Sequence, residues 1–432
     1  MDQPHQPAAS ADWAELPTDI LTSVLLSLEF PDLFTSAAVC TSWRATARDI
    51  LHAGRIYSRA QTPCLFHTSP AGSELYSIAA GKSYRLPDLP GSPVADRYIW
   101  GSSHGWLVTA DARSELQLLN PATGDQIDLP PIATLEHVTP VLDGAGELSR
   151  YDISFYYSAP PRKELNPPQP YGADEVREML YLKAVLSNDP SSQQQGGGDD
   201  TVVMLIHNPY RQLSFARVGG KQWHWITISP HYSEYSDCIH HNGGFYAMNR
   251  QGAIHRYTVE GSRVSCEIIL KDTIQYDAYN VYIARTPSGD VLQVWRFTDI
   301  EDEEPQEMHT DGFEVHKVDF DKQCVVPMET LGDDALLIGH NHTCCLSTKD
   351  YPKLLPGHIY FTDDAEYWLL EKKSNRRDIG TYDLADATSH NLVSSPQPWL
   401  NWPNPVWITP NFMRINPSAA GCVAGDVLTR LT

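Results

Sequence analysis

Nowhere in this chain do two cysteines stand as Cys-x-x-Cys, although there are eight of them. Scattered in this way, they fit reduced thiols of the cytosol or nucleus and exclude a disulfide framework. Basic residues are scarce. The 32 Lys and Arg stand against 54 Asp and Glu, a net charge of −22, which excludes a nucleic-acid phosphate backbone as a natural partner and suits a solvated surface. Long apolar runs are missing too: none approaches the roughly 18 residues of a membrane span. The opening MDQPHQPAASAD has neither the basic nor the apolar part of a secretory signal. Residues 1–11 therefore read as a disordered lead-in, and Asn341-His342-Thr343 as an unused glycosylation sequon. No GxxxxGK(S/T) loop, and no GxGxxG following a strand, is present to cradle a phosphate. The expectation is a soluble protein of the cytoplasm and/or nucleus, with no cofactor, no nucleic-acid partner and no membrane partner.

What is present is 41% apolar content, ample for a core, distributed in two textures. From Trp13 to Arg48 the pattern is helical, with three short helices, each with its own start signal. Pro17 suits a first turn, where no backbone donor is needed, and Ile20, Leu21, Val24, Leu25 and Leu28 form one apolar stripe. Pro31 opens a second helix, with Asp32 favourable in its first turn and Leu33 and Ala37 four apart. Ser42 can cap a third, carrying Trp43, Ala47, Ile50 and Leu51 at helical spacing. So small a bundle buries too little surface to be secure alone. A cap lying on a larger domain is the simplest use for it.

Beyond Tyr57 the chain turns to β text. Trp106–Thr109 and Leu116–Leu119 read as adjacent strands, followed by the turn Asn120-Pro-Ala-Thr-Gly124 and the run Gln126–Leu129. Phe245–Met248, Ala253–Tyr257 and Val264–Leu270 form a second meander, and Val281–Ala284 with Val291–Trp295 a third. His358–Phe361 and Tyr367–Leu370 are expected to pair around Thr362-Asp363-Asp364. Gly81-Lys-Ser-Tyr-Arg-Leu-Pro87 and Gly124-Asp-Gln-Ile-Asp-Leu-Pro130 align with a spacing close to that of propeller blades, which stack radially because one meander cannot cover both its faces. The number of blades is not countable from the sequence. Proline-rich 159–172 and polar 187–200 read as low-complexity loops, the second as a hairpin tip. Asp299–Glu304 reads as a surface turn. Trp399, Trp402 and Trp407, interleaved with prolines, read as a closing segment packed on the propeller.

Two resemblances follow. Leu16-Pro17, Ile20-Leu21, Leu25, Leu28, Leu33, Val39-Cys40 and Trp43-Arg44 resemble the F-box motif nearly position for position. The resemblance implies docking on a Skp-type adaptor within a Skp–cullin–F-box ubiquitin ligase, with those eleven residues as the motif. Leu16 and Pro17 are the foremost expected contacts, because they precede the helix, and Trp43 is expected both to contact and to pack. The remainder resembles the propeller-like domain of a plant F-box family described as KIB-type. It does so through Gly101-Ser-Ser-His-Gly-Trp-Leu107, Asn120–Gly124, Leu354–Asp363, Asp378–Leu384 and Pro405–Pro410. That resemblance implies a kelch-like binding surface and no defined catalytic set. The fold class expected is mainly β: a small three-helix F-box at 12–56, then a large antiparallel β-propeller-like domain at 57–432.

Catalytic motifs fare poorly. Gly101-Ser-Ser-His-Gly105 has the G-x-S-x-G form of a hydrolase elbow, but β text follows where that elbow needs a helix, so a tight turn between strands is the better reading. His340, His342 and Cys344 alternate; in a strand they share a face and can converge on a metal, with no fourth ligand specified. His240-His241 reads as loop. No carboxylate pair can be given acid and base roles from spacing. The sequence thus points to a non-catalytic substrate receptor: F-box on a Skp-type adaptor and through it a cullin, propeller on an unknown target. The alternatives are an F-box scaffold or sequestering protein acting outside a ligase and, as a distant third, a metal-binding propeller enzyme at His340 and His342.

Overall fold

The computed structural model describes residues 13–52, 61–69, 72–86, 97–154, 156–159, 162–165, 167–195, 201–226, 234–274, 280–302, 306–393, 404–415 and 422–423. The lead-in at 1–11, Trp399 and Trp402 lie outside them. The helices fall where their signals are: α1 at Thr18–Leu26 directly after Pro17, α2 at Phe30–Ala37 with Pro31 in its first turn, α3 at Thr41–His52. No helix among the described residues is long and apolar enough to cross a membrane.

The β text forms, among the described residues, six sheets arranged as blades. Blade I joins Cys64–Ser69, Gly72–Ser77 and Lys82–Arg85 to the late strand Val406–Ile408. Blade II is Tyr98–Ser103, Trp106–Ala110, Leu116–Leu119 and Gln126–Asp128, with Cys422–Val423 added at its outer edge. Blades III (Tyr181–Leu186 to His224–Trp225), IV (Tyr235–His241 to Arg263–Leu270) and V (Asn280–Arg285 to Cys324–Met328) are antiparallel four-stranded meanders. Blade VI spans Asp334–Ile338 to Thr388–Asn391 and contains one parallel pair, Asp334–Ile338 with His358–Phe361.

The ring closes because every neighbouring pair of blades shares an apolar cluster. Trp106, Leu118, Tyr181 and Leu205 seal II against III, Val185, Phe215 and Phe245 seal III against IV, and Met248, Ile283 and Trp295 seal IV against V. Val294, Phe313 and Phe361 join V to VI, and Leu337, Tyr360 and Trp407 join VI to I. Trp407 thus sits, 2% exposed, on the strand that completes blade I with both ends of the chain, as a closing segment should. The Gly81/Gly124 repeat is structural. Both glycines take positive φ (63° and 77°) in the turns that lead into Lys82–Arg85 of blade I and Gln126–Asp128 of blade II. In the second of these turns the Asn120 side chain accepts from the Ala122 N–H at 2.9 Å, and Asn249 does the same for Ala253 at 2.8 Å in blade IV.

Three expectations are corrected. Tyr367–Leu370 lies in a helix, α4, Glu366–Glu371, not in a strand. Asp363 Oδ1 accepts from the Ala365 N–H at 3.2 Å and starts the turn, while Asp364 is drawn to Arg296. Residues 159–172 are not a plain loop: Tyr156–Ala159 pairs with Arg162–Leu165, and Gln169–Tyr171 joins Leu148–Ile153 in an inserted sheet between blades II and III. Asp299 and Ile300 end a strand, Val291–Ile300, so the expected surface turn starts only at Glu301; Glu301 and Asp302 are exposed and outside the strand, and 303–304 lie outside the described residues. By contrast Gly101–Gly105 does contain the tight turn between strands that its β context suggested: Gly101–Ser103 end one strand, and His104 and Gly105, both at positive φ, turn into the next.

Gly101 also marks a close approach. With φ at 135°, an added Cβ would run into the carbonyl oxygen of His340. Gly101→Ala is expected to cost about 3 kcal/mol through strain and overpacking combined. Denaturant unfolding checks this, and a loss below about 0.5 kcal/mol would contradict the contact.

Candidate functional site

The eleven motif residues divide by exposure. Leu21, Leu25 and Leu33 are fully buried, together with Phe30, Ala37, Ala47 and Ile50. Leu16, Leu28 and Trp43 are half-buried and pack against the same cluster. Arg44 is half-buried and donates through Nε to the Ala37 carbonyl at 3.4 Å, serving the C-terminal end of α2. Cys40, half-buried, offers its carbonyl to the Arg44 N–H. Pro17 is exposed, Ile20 is 48% exposed and Val39 61%. Two further apolar residues share this exposure without belonging to the expected set: Val24, 39%, and Trp13, 65%. Val24 follows Ile20 by one helical turn, so Pro17, Ile20 and Val24 line one face of α1. The Trp43 indole N–H donates to the Trp13 carbonyl at 2.9 Å and holds the entry segment beside that face.

The other face of the bundle is occupied. Its buried residues belong to one cluster with Phe66, Leu75, Ile99, Leu107, Ile408 and Phe412 of blades I and II and the segment after them. Phe30 meets Phe412 edge-on at 5.0 Å, and the Phe30 N–H donates to Gln61 Oε1 at 2.7 Å. Thr62 donates to Glu29 at 2.9 Å and Tyr84 to Asp32 at 3.0 Å. Burial, followed by the bond to Asp32, pushes the Tyr84 phenol up to about 12. The helices are thus set into the propeller through a shared core, and the exposed apolar face points away from it.

Residues 339–343 leave blade VI and form a plug bonded to the first strands of blades II, III and IV. Lys183 of blade III donates to the Gly339 carbonyl and to Thr343 Oγ1, both at 3.2 Å, and lies 2.7 Å from Asp237 of blade IV. Asp237 further accepts from Thr343 at 2.6 Å and from the Ile283 N–H of blade V at 3.1 Å. Burial raises the Asp237 carboxyl; Lys183 and Thr343 pull it back without cancelling the shift. The His342 N–H donates to the Ser102 carbonyl of blade II at 2.7 Å. One buried ion pair and its hydrogen bonds therefore tie blades III, IV and V to the plug, and the His342–Ser102 bond adds blade II.

This geometry separates the three weak metal candidates, His340, His342 and Cys344. The first two lie in the plug, not in a strand, so the alternation of a pleat does not apply. His340 turns its ring edge to Trp100 at 5.7 Å, His342 stacks near His104 at 6.0 Å, and Cys344 begins the next strand. Among the described residues no group of three His, Cys, Asp or Glu side chains is placed to hold a metal. His240 and His241 end a strand of blade IV instead of forming a loop.

Buried histidines give the fold an acid sensitivity. Burial holds His67 and His342 down to about 3, and His207 and His255 down to about 4. Between those values and the ordinary value near 6.5 the unfolded chain binds protons that the folded chain refuses, so stability is full above that range and falls as pH drops through it. Asp363 works in the opposite sense. Burial raises it to about 6, so its folded form keeps a proton more readily than the unfolded one. Among the described residues ten histidines are lowered in this way against four raised carboxylates, Glu115, Asp237, Asp334 and Asp363, so the thermal midpoint is expected to fall steadily from about pH 7 to about pH 4. A flat or rising profile would contradict the burial of these rings.

Sequence comparison agrees with the architecture. The family profile described as KIB1-4 beta-propeller matches residues 75–383, and one described as F-box-like matches 13–58. The putative F-box protein At5g55150 of Arabidopsis thaliana is 23% identical over 299 residues, covering 68% of this chain and 70% of its own. F-box protein At5g25290 of the same plant is 23% identical over 396 residues, with 87% and 92% covered. Probable F-box protein At4g22060, also from that plant, is 21% identical over 440 residues, with 96% and 100% covered. The chain therefore belongs to the KIB1-4 β-propeller family, and carries an F-box-like module in front of its propeller.

Proposed function

We propose that the chain is the substrate-recognition subunit of a Skp–cullin–F-box ubiquitin ligase. The observation that carries this is the division of the helical module: one face welded to the propeller, the other presenting Pro17, Ile20, Val24 and Val39 to solvent. F-box domains bind Skp-type adaptors, and an exposed apolar stripe on a short helix suits a protein partner better than water. Through the adaptor the chain engages a cullin and a conjugating enzyme, and the propeller holds the target beside it. The gain is effective concentration: two encounters become one tethered geometry. In this reading the chain is non-catalytic and works in the cytoplasm or nucleus, where the ligase machinery resides.

Recognition in this reading is by loops at an end of the propeller. The competing reading is a scaffold or sequestering protein outside a ligase. Partner turnover separates them. Cells carrying the wild-type chain should degrade a propeller-bound protein faster than cells carrying an adaptor-blind variant. Equal half-lives with adaptor bound to the wild type would favour the scaffold.

A further inference from the structure

A second site lies where blades I, II and VI meet the linker to the helices. It is a cavity of about 400 Å³ beside the plug, within the range that holds small organic ligands. Its walls include Trp407, Tyr351, His342, Leu346, Gln61 and Phe412. Although a fifth of the chain is charged, no Asp, Glu, Lys or Arg is among the described residues that line it. Asp189, the carboxylate behind the Asn411 wall, is already taken by the Trp106 indole N–H at 3.0 Å and the Asn411 amide at 2.8 Å. By contrast the cavity of about 490 Å³ between blades III and IV is lined by Glu178, Arg211, Glu234 and Arg250.

The polar groups of the uncharged cavity are partly unspent. The His342 ring and the Tyr351 hydroxyl have no hydrogen-bond partner among the described residues, and the Trp407 indole N–H, on a side chain 2% exposed, has none either. Burial holds both His342 and His104 in the neutral form at ordinary pH. An imidazole and a phenol together offer donors and acceptors without charge, among aromatic and aliphatic walls. A charged ligand would lose its hydration here and find no counter-charge.

We propose that this cavity is a binding site for an uncharged, ring-bearing small molecule that engages His342 and Tyr351. Gln61 and Phe412, which grip Phe30 of α2, are also part of the cavity wall. An occupant therefore rests on the seam between the adaptor module and the propeller, and its binding stabilises that seam by mass action. The site does not depend on adaptor docking; failure of either leaves the other standing.

The test uses the full chain and two fluorescent probes that share one ring system. N-phenylnaphthylamine is neutral, and anilinonaphthalene sulfonate is its anionic counterpart. The neutral probe is expected to bind saturably, one per chain, with an affinity indifferent to salt, and the sulfonate at least about ten-fold more weakly. Leu346→Trp, which fills the cavity, should weaken the neutral probe about ten-fold or more. Tyr351→Phe, which keeps the shape, should weaken it about five-fold with no change in the unliganded thermal midpoint. Absence of saturable binding, equal affinity for the sulfonate, or binding untouched by both substitutions would overturn the proposal.

Discussion

Ile20→Lys combined with Val24→Lys is expected to abolish co-purification with a Skp-type adaptor and leave the propeller folded. Both side chains stand on the outward face of α1, 48% and 39% exposed, and neither belongs to the shared core. Lysine is a good helix former, so α1 persists. Placing two ammonium groups in an apolar contact costs the interface its anchors and adds desolvation. One lost anchor is worth about 2–4 kcal/mol, or roughly 30- to 1,000-fold in affinity, and two adjacent ones exceed most assay windows. The thermal midpoint should stay near the wild-type value, because exposed substitutions typically change stability by about 0.5 kcal/mol or less. Retained adaptor binding would show that this face is not the docking surface. Leu16 is a poorer probe than its motif position suggests. It is half-buried against the core, so its truncation mixes folding with binding.

The largest expected loss of stability comes from the plug. Asp237→Ala leaves Lys183, whose side chain is 5% exposed, without its counter-charge, and strips the Ile283 N–H and Thr343 hydroxyl of their acceptor. Breaking a buried pair from one side costs about 3–5 kcal/mol, a large share of the 5–15 kcal/mol that typically holds a domain together. Lys183→Met should cost a similar amount. A double-mutant cycle is then expected to return a coupling of about 2 kcal/mol or more, because the second substitution removes a charge that the first left stranded. A coupling near zero would show that the two groups do not depend on each other. Since the pair ties the plug to several blades, the variants should also expose amides at 339–343 to hydrogen exchange well before the outer strands.

Much of this architecture was legible from local chemistry. Pro17, Pro31 and the residues before Trp43 place the three helices within a residue or two, because caps and prolines act locally. The Asn120 and Asn249 turns, the Gly81/Gly124 repeat and the β context of Gly101–Gly105 are likewise decided by neighbours along the chain. What escaped is non-local. Lys183 sits in the apolar run Leu182-Lys-Ala-Val-Leu186, and its partner lies a blade away in Asp237-Cys-Ile. A lone lysine inside a buried strand was the available signal. Asp363 and Asp364 look like turn residues, yet Asp364 lies 3.3 Å from Arg296 in another blade, and Arg296 also reaches Asp378 at 3.1 Å. The short run Tyr367–Leu370 is ambiguous by period alone, and a helix won. The proline-rich 159–172 pairs because its partners come from an inserted sheet that composition does not reveal. For the candidate site, the motif named the right stretch but not its two faces. Ile20 and Leu21 are neighbours in the motif and opposites in the structure, and Val24 belongs to the outward set although no motif position names it.

The measurement that bears most directly on the account is affinity purification of the wild-type chain and the Ile20→Lys/Val24→Lys variant under proteasome blockade. The expected result is a split. Adaptor and cullin are lost from the variant, propeller-bound partners are kept by both, and ubiquitin conjugates of those partners collect only with the wild type. Adaptor and cullin recovered equally with both chains, or kept partners that never carry ubiquitin in either, would contradict it.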